Sequence, residues 1–578
     1  MSSDVTPDHE PPWFALHPNE LSPDLEPRFA TLTEAWEWRV NEEPEAAALV
    51  YFDAVLSVRE TDALADALAA VLSDRGVGHG DRVGIHLQNI PQYAIVLIAL
   101  WKLGGVALLL NPMYRGRELT TLLGDAEPVG IITTDRDVEA VHDSAVGTPV
   151  RWVLGTAESD LQSRNDPRVF RPGTNDAAPS DNDLMTLIGE RIGSRPPTVA
   201  VSGDDLAFLA YTSGTTGPPK GAMNSHANVL AVTTSFSRIA GISPGDVVFA
   251  LAPLFHITGA VIIGSLALSE QTALVFTGRF QVETALDALR EHSVTYTIGS
   301  ITAFNAMMNS EHATADHFAT IKALFSGGAP VPPSTVARFR ERFGPYIHNA
   351  YGMTETSSGV IAVPPGTIAP VDETSGTLSI GVPLPGVEVQ IVDTSGRPLP
   401  PGAQGELVLV GPQVIRGYWR NAEASEAAIP AGRLHTGDSA IADAEGWIYL
   451  VDRIKDQINV SGYKVWPREV EDVLYEHPAV LEAAVVGIPD EYRGESVAAY
   501  VSLKDGQTVE ADELVAFARD RLAPYKRPRA VQIIAELPKT QSGKIRRRAL
   551  RDKIAGQHGV VSATSTPRRT STVLDDTA

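Results

Sequence analysis

An apolar run, Leu206-Ala207-Phe208-Leu209-Ala210, leads directly into Tyr211-Thr212-Ser213-Gly214-Thr215-Thr216-Gly217-Pro218-Pro219-Lys220-Gly221-Ala222. The run has the length and texture of a buried strand, so the glycines and hydroxyl residues fall on the loop leaving it. Such a loop suits a chain of phosphates. Glycines let backbone N–H groups approach phosphate oxygens, Ser and Thr add hydroxyl donors, and Lys220 adds a positive charge. The Walker A pattern ends in Gly-Lys-Ser/Thr, whereas Pro218-Pro219-Lys220-Gly221 stands here, so this is a phosphate loop of another kind. A Gly/Ser/Thr surface turn has the same composition. The rest of the chain must decide between the two.

The strand before the loop belongs to a longer alternation. Leu64 to Leu72 reads as a helix, Asp81 to Leu87 as a strand, Gln92 to Leu103 as a helix and Val129 to Asp135 as a strand, which together imply a parallel sheet. Residues Glu158 to Pro197, rich in Asp, Asn, Ser and Pro, read as an exposed excursion. A second βα series follows the loop. Its strands are Val247 to Leu251, Thr272 to Phe276, Tyr296 to Gly299, Ala323 to Ser326 and Tyr346 to Asn349, with a largely apolar helix over Gly259 to Leu268. After Pro364 come β segments punctuated by Gly and Pro, which predict a small antiparallel barrel over about 365–454. From Lys455 the texture becomes that of a separate small α+β domain. The expected division is therefore a lead-in over 1–30, a large domain over 31–454, a small domain over 455–555 and a disordered tail over 556–578.

With 578 residues, 43% apolar and 20% charged, the chain has the composition of a soluble multidomain enzyme. Its net charge of −24 argues against nucleic acid or an anionic membrane as partner. There are no cysteines, which excludes disulfides, thiolate metal sites and a cysteine nucleophile. The first residues show neither a basic n-region nor an apolar h-region, so a cytoplasmic protein is expected. The most membrane-like stretch, Ala94 to Leu110, is interrupted by Lys102 and Gly104-Gly105 and reads as helix, turn and strand. Peripheral membrane contact and oligomerisation are left open.

Six further stretches join the loop: Ala252-Pro253-Leu254-Phe255-His256, Ser326-Gly327-Gly328-Ala329-Pro330, Asn349-Ala350-Tyr351-Gly352-Met353-Thr354-Glu355-Thr356, His435-Thr436-Gly437-Asp438, Asp452-Arg453-Ile454-Lys455-Asp456 with Ile458 to Val465, and Pro538 to Arg548. Together, and in this order, they resemble the adenylate-forming superfamily of acyl-CoA synthetases, luciferases and peptide-synthetase adenylation domains. The resemblance covers about Thr31 to Asp552 and is most like a bacterial fatty-acid–CoA ligase. It implies an α/β fold of two βα-layered sheets with a small β-barrel, followed by a mobile α+β domain.

The resemblance also implies roles. Thr212, Ser213, Gly214, Thr215, Thr216, Gly217 and Lys220 would hold the ATP phosphates. Adenine would lie against Gly327, Gly328, Ala329 and Tyr351, beside Gly352, with Asn349 reaching its exocyclic amine. Thr354 would bond the α-phosphate, Glu355 and Thr212 would hold Mg2+, a hard cation suited to oxygen ligands, and Asp438 and Arg453 would take the ribose. Phe255, His256, Gly259, Ala260, Gly264, Ile301 and Phe304 would line an acyl pocket, with His256 beside the carboxylate. Lys455 would be the hinge, Lys544 the adenylation lysine, and Gly462, Tyr463 and Lys526 contacts for coenzyme A. The implied reaction joins a small hydrophobic carboxylic acid, a medium- to long-chain fatty acid, to coenzyme A through an acyl-adenylate, as fatty-acid metabolism requires.

Three rival readings make different demands on the sequence. An amino-acid adenylation enzyme would carry an Asp near Phe255-His256, and His256-Ile257-Thr258-Gly259 has none. A fatty-acyl-AMP ligase loading a carrier protein would differ in needing no coenzyme A. A silent nucleotide-binding scaffold would have lost Lys544, Glu355 or Asp438, and all three are present.

Overall fold

The computed structural model describes residues 12–17, 26–170, 182–212, 219–329, 331–372, 377–453, 456–461, 463–490, 493–519, 521–539, 545–547 and 549–551. The chain divides into two compact units, Met1–Ile454 and Lys455–Ala578. Lys455 and the tail 556–578 lie outside the described residues.

In the large unit the first βα series builds a six-stranded sheet. Its order is Trp152–Thr156, Gly130–Thr134, Arg82–His86, Val106–Leu109, Leu206–Tyr211 and Gly221–Ser225, parallel except for the last strand. The second series builds a nine-stranded sheet, ordered Val382–Pro383, Ser358–Ala362, Ile347–Met353, Ala323–Gly327, Tyr296–Gly299, Val247–Phe249, Ala273–Phe276, Ala47–Tyr51 and Ala54–Ser57. Its interior is parallel and both margins turn antiparallel. The apolar stretch from Ala94 resolves as expected into the helix Pro91–Lys102, a turn and the strand Val106–Leu109. That helix is buried on every face except at Lys102, because it touches strands of both sheets. No helix of the described residues is long and apolar enough to cross a membrane.

The barrel-like layer expected after Pro364 is half of a barrel, an antiparallel sheet of Glu388–Val392, Gln404–Val410, Leu434–Ala442 and Ile448–Arg453. It is fastened to the margin of the nine-stranded sheet by the backbone of Ile448, whose N–H donates to Gly381 O at 3.0 Å while its carbonyl accepts from Ile380 N–H at 2.8 Å. The excursion before the loop is tied down by ion pairs. Arg168 meets both Asp166 at 2.6 Å and Asp287 at 2.8 Å, the latter on the helix Val282–Glu291.

The small unit is α+β. Tyr463–Val465, Ile458–Val460, Gly494–Leu503 and Val480–Asp490 form an antiparallel sheet, and Ala530–Ile533 adds to Gly494–Leu503 in parallel. The helices Pro467–Tyr475 and Ala511–Arg519 bury Val470, Leu474, Leu514 and Ala518 in its own apolar core.

Candidate active site

The phosphate loop is the connection of a β-hairpin. Tyr211 pairs with Gly221, and Thr212 N–H donates to Lys220 O at 2.9 Å, closing the neck. Ser213, Gly214, Thr215, Thr216 and Gly217, which the sequence assigns to phosphate, lie outside the described residues. The return strand ends in Asn224-Ser225. Ser225 caps the helix His226–Ala240 through a reciprocal bond with Asn228, a cap worth about 1 kcal/mol. Asn224 donates to Thr354 O at 3.0 Å and to Ser357 Oγ at 2.9 Å, so the hairpin holds the turn that carries Glu355.

The nine-stranded sheet brings the next motifs to one edge. Gly299 is in register with Ser326, Ser326 with Asn349 and Gly327 with Ala350, while Ala252 N–H bonds Ile298 O at 3.1 Å. The segments Ala252–His256, Gly327–Ala329 and Asn349–Glu355 therefore leave neighbouring strand ends at one level, where open α/β sheets collect ligands. Gly352 is obligatory there, since a Cβ would stand 1.9 Å from Ser358 O. The short turn Thr354–Thr356 follows it and places Glu355 inward, 8% exposed.

Three buried hydrogen bonds tie this edge to other layers. Tyr351 Oη donates to Asp438 Oδ2 at 2.7 Å, joining the ring expected under adenine to the carboxylate expected on ribose. Tyr418 Oη donates to Glu355 Oε1 at 2.7 Å. Asn349 Nδ2 donates to Ser379 O at 3.4 Å, while Ser379 Oγ donates to Ile448 O at 2.8 Å, on the strand that ends at Arg453. Asp438 itself lies across from Arg453 in register. The turn before Asp438 is braced by Glu406, which accepts from Gly437 N–H at 3.0 Å and meets His435 Nδ1 at 3.0 Å.

Of these partners, Tyr418, Asn224, Ser379 and Glu406 were not found in the sequence. Nor was Asn89, whose amide donates to Ala250 O and Ala252 O at 2.7 and 3.1 Å and whose Oδ1 accepts from Leu254 N–H at 2.8 Å. Three buried bonds at about 0.5–1.5 kcal/mol each fix the course of the segment leading to His256. His256 Nδ1 accepts from Thr258 N–H at 3.3 Å, which leaves the proton of a neutral ring on Nε2. Gly259 is required beside it, because a Cβ would meet Pro253 O at 2.1 Å. The predicted apolar helix from Gly259 widens into a π-helical turn over Ala260–Ser265 that includes Gly264, a feature common at functional sites. Ile301 and Phe304 start the helix Ile301–Asn309. Phe304 is 1% exposed with its ring against Phe339 at 5.8 Å, so it is part of the core behind this region.

Lys220 Nζ stands 5.0 Å from the centroid of the Tyr418 ring, whose hydroxyl bonds Glu355. The cation of the phosphate loop and the carboxylate of the Tyr-Gly-x-Thr-Glu motif thus flank one tyrosine. Burial, with the Glu355 carboxylate adding to it, pushes the Tyr418 phenol well above its ordinary value, so it remains a neutral donor. The described residues contain no group of three or more His, Asp or Glu that could hold a metal. A single buried carboxylate such as Glu355 suits a cation that arrives with phosphates, as Mg2+ does, and not a cation held by the protein alone.

In the small unit, Lys544 and Gly462 lie outside the described residues. Their flanks are closed: Arg546 N–H donates to Pro538 O at 2.7 Å, and Ser461 N–H to Arg493 O at 2.8 Å. Tyr463 is 60% exposed and stacks on Tyr525 at 4.8 Å. Lys526 is paired with Glu469 and also lies over the Tyr525 ring at 5.6 Å.

Residues 36–419 match the AMP-binding enzyme family, and residues 469–544 match the AMP-binding enzyme C-terminal domain. A long-chain-fatty-acid–CoA ligase of Escherichia coli is 34% identical over 94% of this chain and 98% of its own. A feruloyl-CoA synthase of Amycolatopsis is 32% identical over 88% of this chain and 96% of its own. The solved benzoate CoA ligase of Burkholderia xenovorans superposes with a TM-score of 0.78 at 26% identity, covering 90% of this chain and all (100%) of its own. A matched family spanning both units, with full-length relatives that are acyl-CoA ligases, leaves one conclusion: this chain belongs to the AMP-binding enzyme family.

Proposed function

We propose that the protein is an AMP-forming acyl-CoA synthetase acting on a hydrophobic carboxylic acid, a medium- to long-chain fatty acid. The observation that carries the reading is the buried bond from Tyr351 to Asp438, which sets a ring for a purine beside a carboxylate for two vicinal ribose hydroxyls. Thr212, Ser213, Gly214, Thr215, Thr216, Gly217, Lys220 and Thr354 hold the phosphates. The acid's carboxylate attacks the α-phosphate, the bond to pyrophosphate breaks, and an acyl-adenylate forms. Two anions must meet, so Lys220, Lys544 and the loop N–H groups lower the barrier by preorganised positive charge. Glu355 and Thr212 would hold Mg2+, which would add neutralisation of the phosphate oxygens when bound.

The second step breaks the acyl–phosphate bond and releases AMP. With no cysteine in the chain, the thiol comes from coenzyme A. Gly462, Tyr463 and Lys526 receive it on the small unit, where the exposed Tyr463–Tyr525 stack offers a flat aromatic face. Lys455, at the boundary of the two units, is the hinge between the two steps. The acyl pocket is assigned to Phe255, His256, Gly259, Ala260, Gly264 and Ile301. The π-turn Ala260–Ser265 is apolar apart from Ser265, whose hydroxyl is spent on Ala260 O at 2.8 Å, so a charged tail would find no partner there. Incubation with ATP, coenzyme A and a long-chain fatty acid is expected to yield AMP and pyrophosphate; ADP as the stoichiometric product would overturn the reading.

A further inference from the structure

Tyr418 lies 63 residues from Glu355 in sequence, yet its hydroxyl donates to that carboxylate at 2.7 Å in a buried setting. The backbone fixes the tyrosine independently of any ligand. Met223 N–H donates to Gly417 O at 3.2 Å, Trp419 N–H donates to Gly221 O at 2.7 Å, and Tyr418 N–H donates to Ser425 Oγ at 2.8 Å. Residues 417–419 thus run as a short extra strand beside Gly221–Met223, immediately after Lys220. The ring is held under Lys220 Nζ, 5.0 Å from its centroid, and its hydroxyl is aimed at Glu355.

We propose that Tyr418 is a positioning residue that orients Glu355 toward a nucleotide-bound divalent cation while spacing that carboxylate from the loop cation Lys220. The proposal rests on the reading of Glu355 as a metal ligand. The phenol is a neutral donor, so it takes one carboxylate oxygen and leaves Oε2 without a hydrogen-bond partner among the described residues, open to a cation. A tyrosine between the two also matters electrostatically. A direct Lys220–Glu355 ion pair would neutralise both groups before ATP and metal arrived, whereas the ring stabilises the ammonium through its face and leaves its charge available to phosphate.

The test compares binding of α,β-methylene-ATP with Mn2+ present and with EDTA, by calorimetry on the full chain. The ratio of the dissociation constant in EDTA to that with Mn2+ reports the metal's contacts with the protein, without turnover. Tyr418→Phe keeps the ring under Lys220 and removes only the hydroxyl. It is expected to lower the ratio on the order of 10-fold, the usual effect of deleting a group that orients a metal ligand, while affinity in EDTA holds. Glu355→Gln is expected to lower it at least as far. Ser425→Ala, which loosens the Tyr418 backbone without touching the hydroxyl, is expected to lower it less than Tyr418→Phe does, because the backbone bonds to Gly221 and Met223 remain. If Glu355→Gln lowers the ratio and Tyr418→Phe does not, the positioning role is wrong. An equal fall in Ser425→Ala would also overturn it, by making the effect one of general packing. If Glu355→Gln leaves the ratio intact, the metal reading of Glu355 fails and the proposal with it.

Discussion

The two units hold their candidate residues differently. In the large unit Tyr351, Glu355 and Asp438 are 9%, 8% and 5% exposed, and buried hydrogen bonds run from the nine-stranded sheet to the half-barrel and to the strand at 417–419. In the small unit the described candidates lie near the surface: Tyr463, the first residue of the strand Tyr463–Val465, is 60% exposed. A nucleotide must be held in one geometry through two chemical steps, which suits residues locked by their neighbours. A group needed for only one step can sit on a turn that is presented and withdrawn. On this account, substitutions in the large unit impair both steps and those in the small unit separate them.

The largest separation is expected at Lys544. Lys544→Ala should slow acyl-adenylate formation on the order of 10²–10³-fold by removing a preorganised cation, with thioester formation from supplied adenylate largely intact. Lys455→Pro should do the reverse, since fixing φ restricts the backbone change at the boundary. Pyrophosphate exchange run beside thioester formation reads both, and equal losses in each variant would erase the distinction. Asp438→Ala should instead weaken ATP and acyl-adenylate alike, by about 10- to 100-fold, in line with roughly 1.5–3 kcal/mol for hydrogen bonds to a charged group. A loss confined to one ligand would break the comparison from the other side.

Smaller effects sharpen it. Tyr463→Ala removes the exposed aromatic face assigned to coenzyme A, so the KM for coenzyme A should rise by roughly several-fold while the KM for ATP is unchanged. Stability should respond to acid chiefly through the large unit. Burial holds His86, His226 and His348 at about 4, below the ordinary 6.5. The unfolded chain therefore binds more protons between those values, and stability present above 6.5 is lost as pH falls toward 4. Asp135, raised to about 6 by burial and neighbouring Asp183 and Asp160, works in the opposite direction, as do Glu158, Asp160 and Glu270, while His17 and His292, lowered by burial, add to the three histidines. A lower melting temperature at about pH 5 than at neutrality, with hydrogen exchange rising first in residues of the large unit, is the expected result.

Much of this was legible in the chain because it is local. The strand into the phosphate loop, the βα alternation and the change of texture at Lys455 are signals spanning a few residues. What was not legible is long-range or depends on a local deviation. Asn89 reaches Leu254 across 165 residues, and Tyr418 reaches Glu355 across 63, with no pattern in either stretch to announce the partner. The strand Gly221–Ser225 escaped notice because Asn224 and Ser225 are polar for reasons that lie elsewhere, in a turn and a helix cap. The π-turn inside Gly259 to Leu268 is invisible to apolar periodicity, since every position there is buried either way. Phe304 reads equally well as a pocket wall or as core, and its contact with the ring of Phe339 is long-range and carries no local signal.

The central claim is that a hydrophobic acid is first joined to AMP and then passed to coenzyme A. Pyrophosphate release over a panel of carboxylic acids, each with and without coenzyme A, tests it most directly. The account predicts sustained release with medium- and long-chain fatty acids only when coenzyme A is present, with AMP and an acyl-CoA as products. Sustained turnover indifferent to coenzyme A, or a clear preference for acetate or an amino acid, would contradict it.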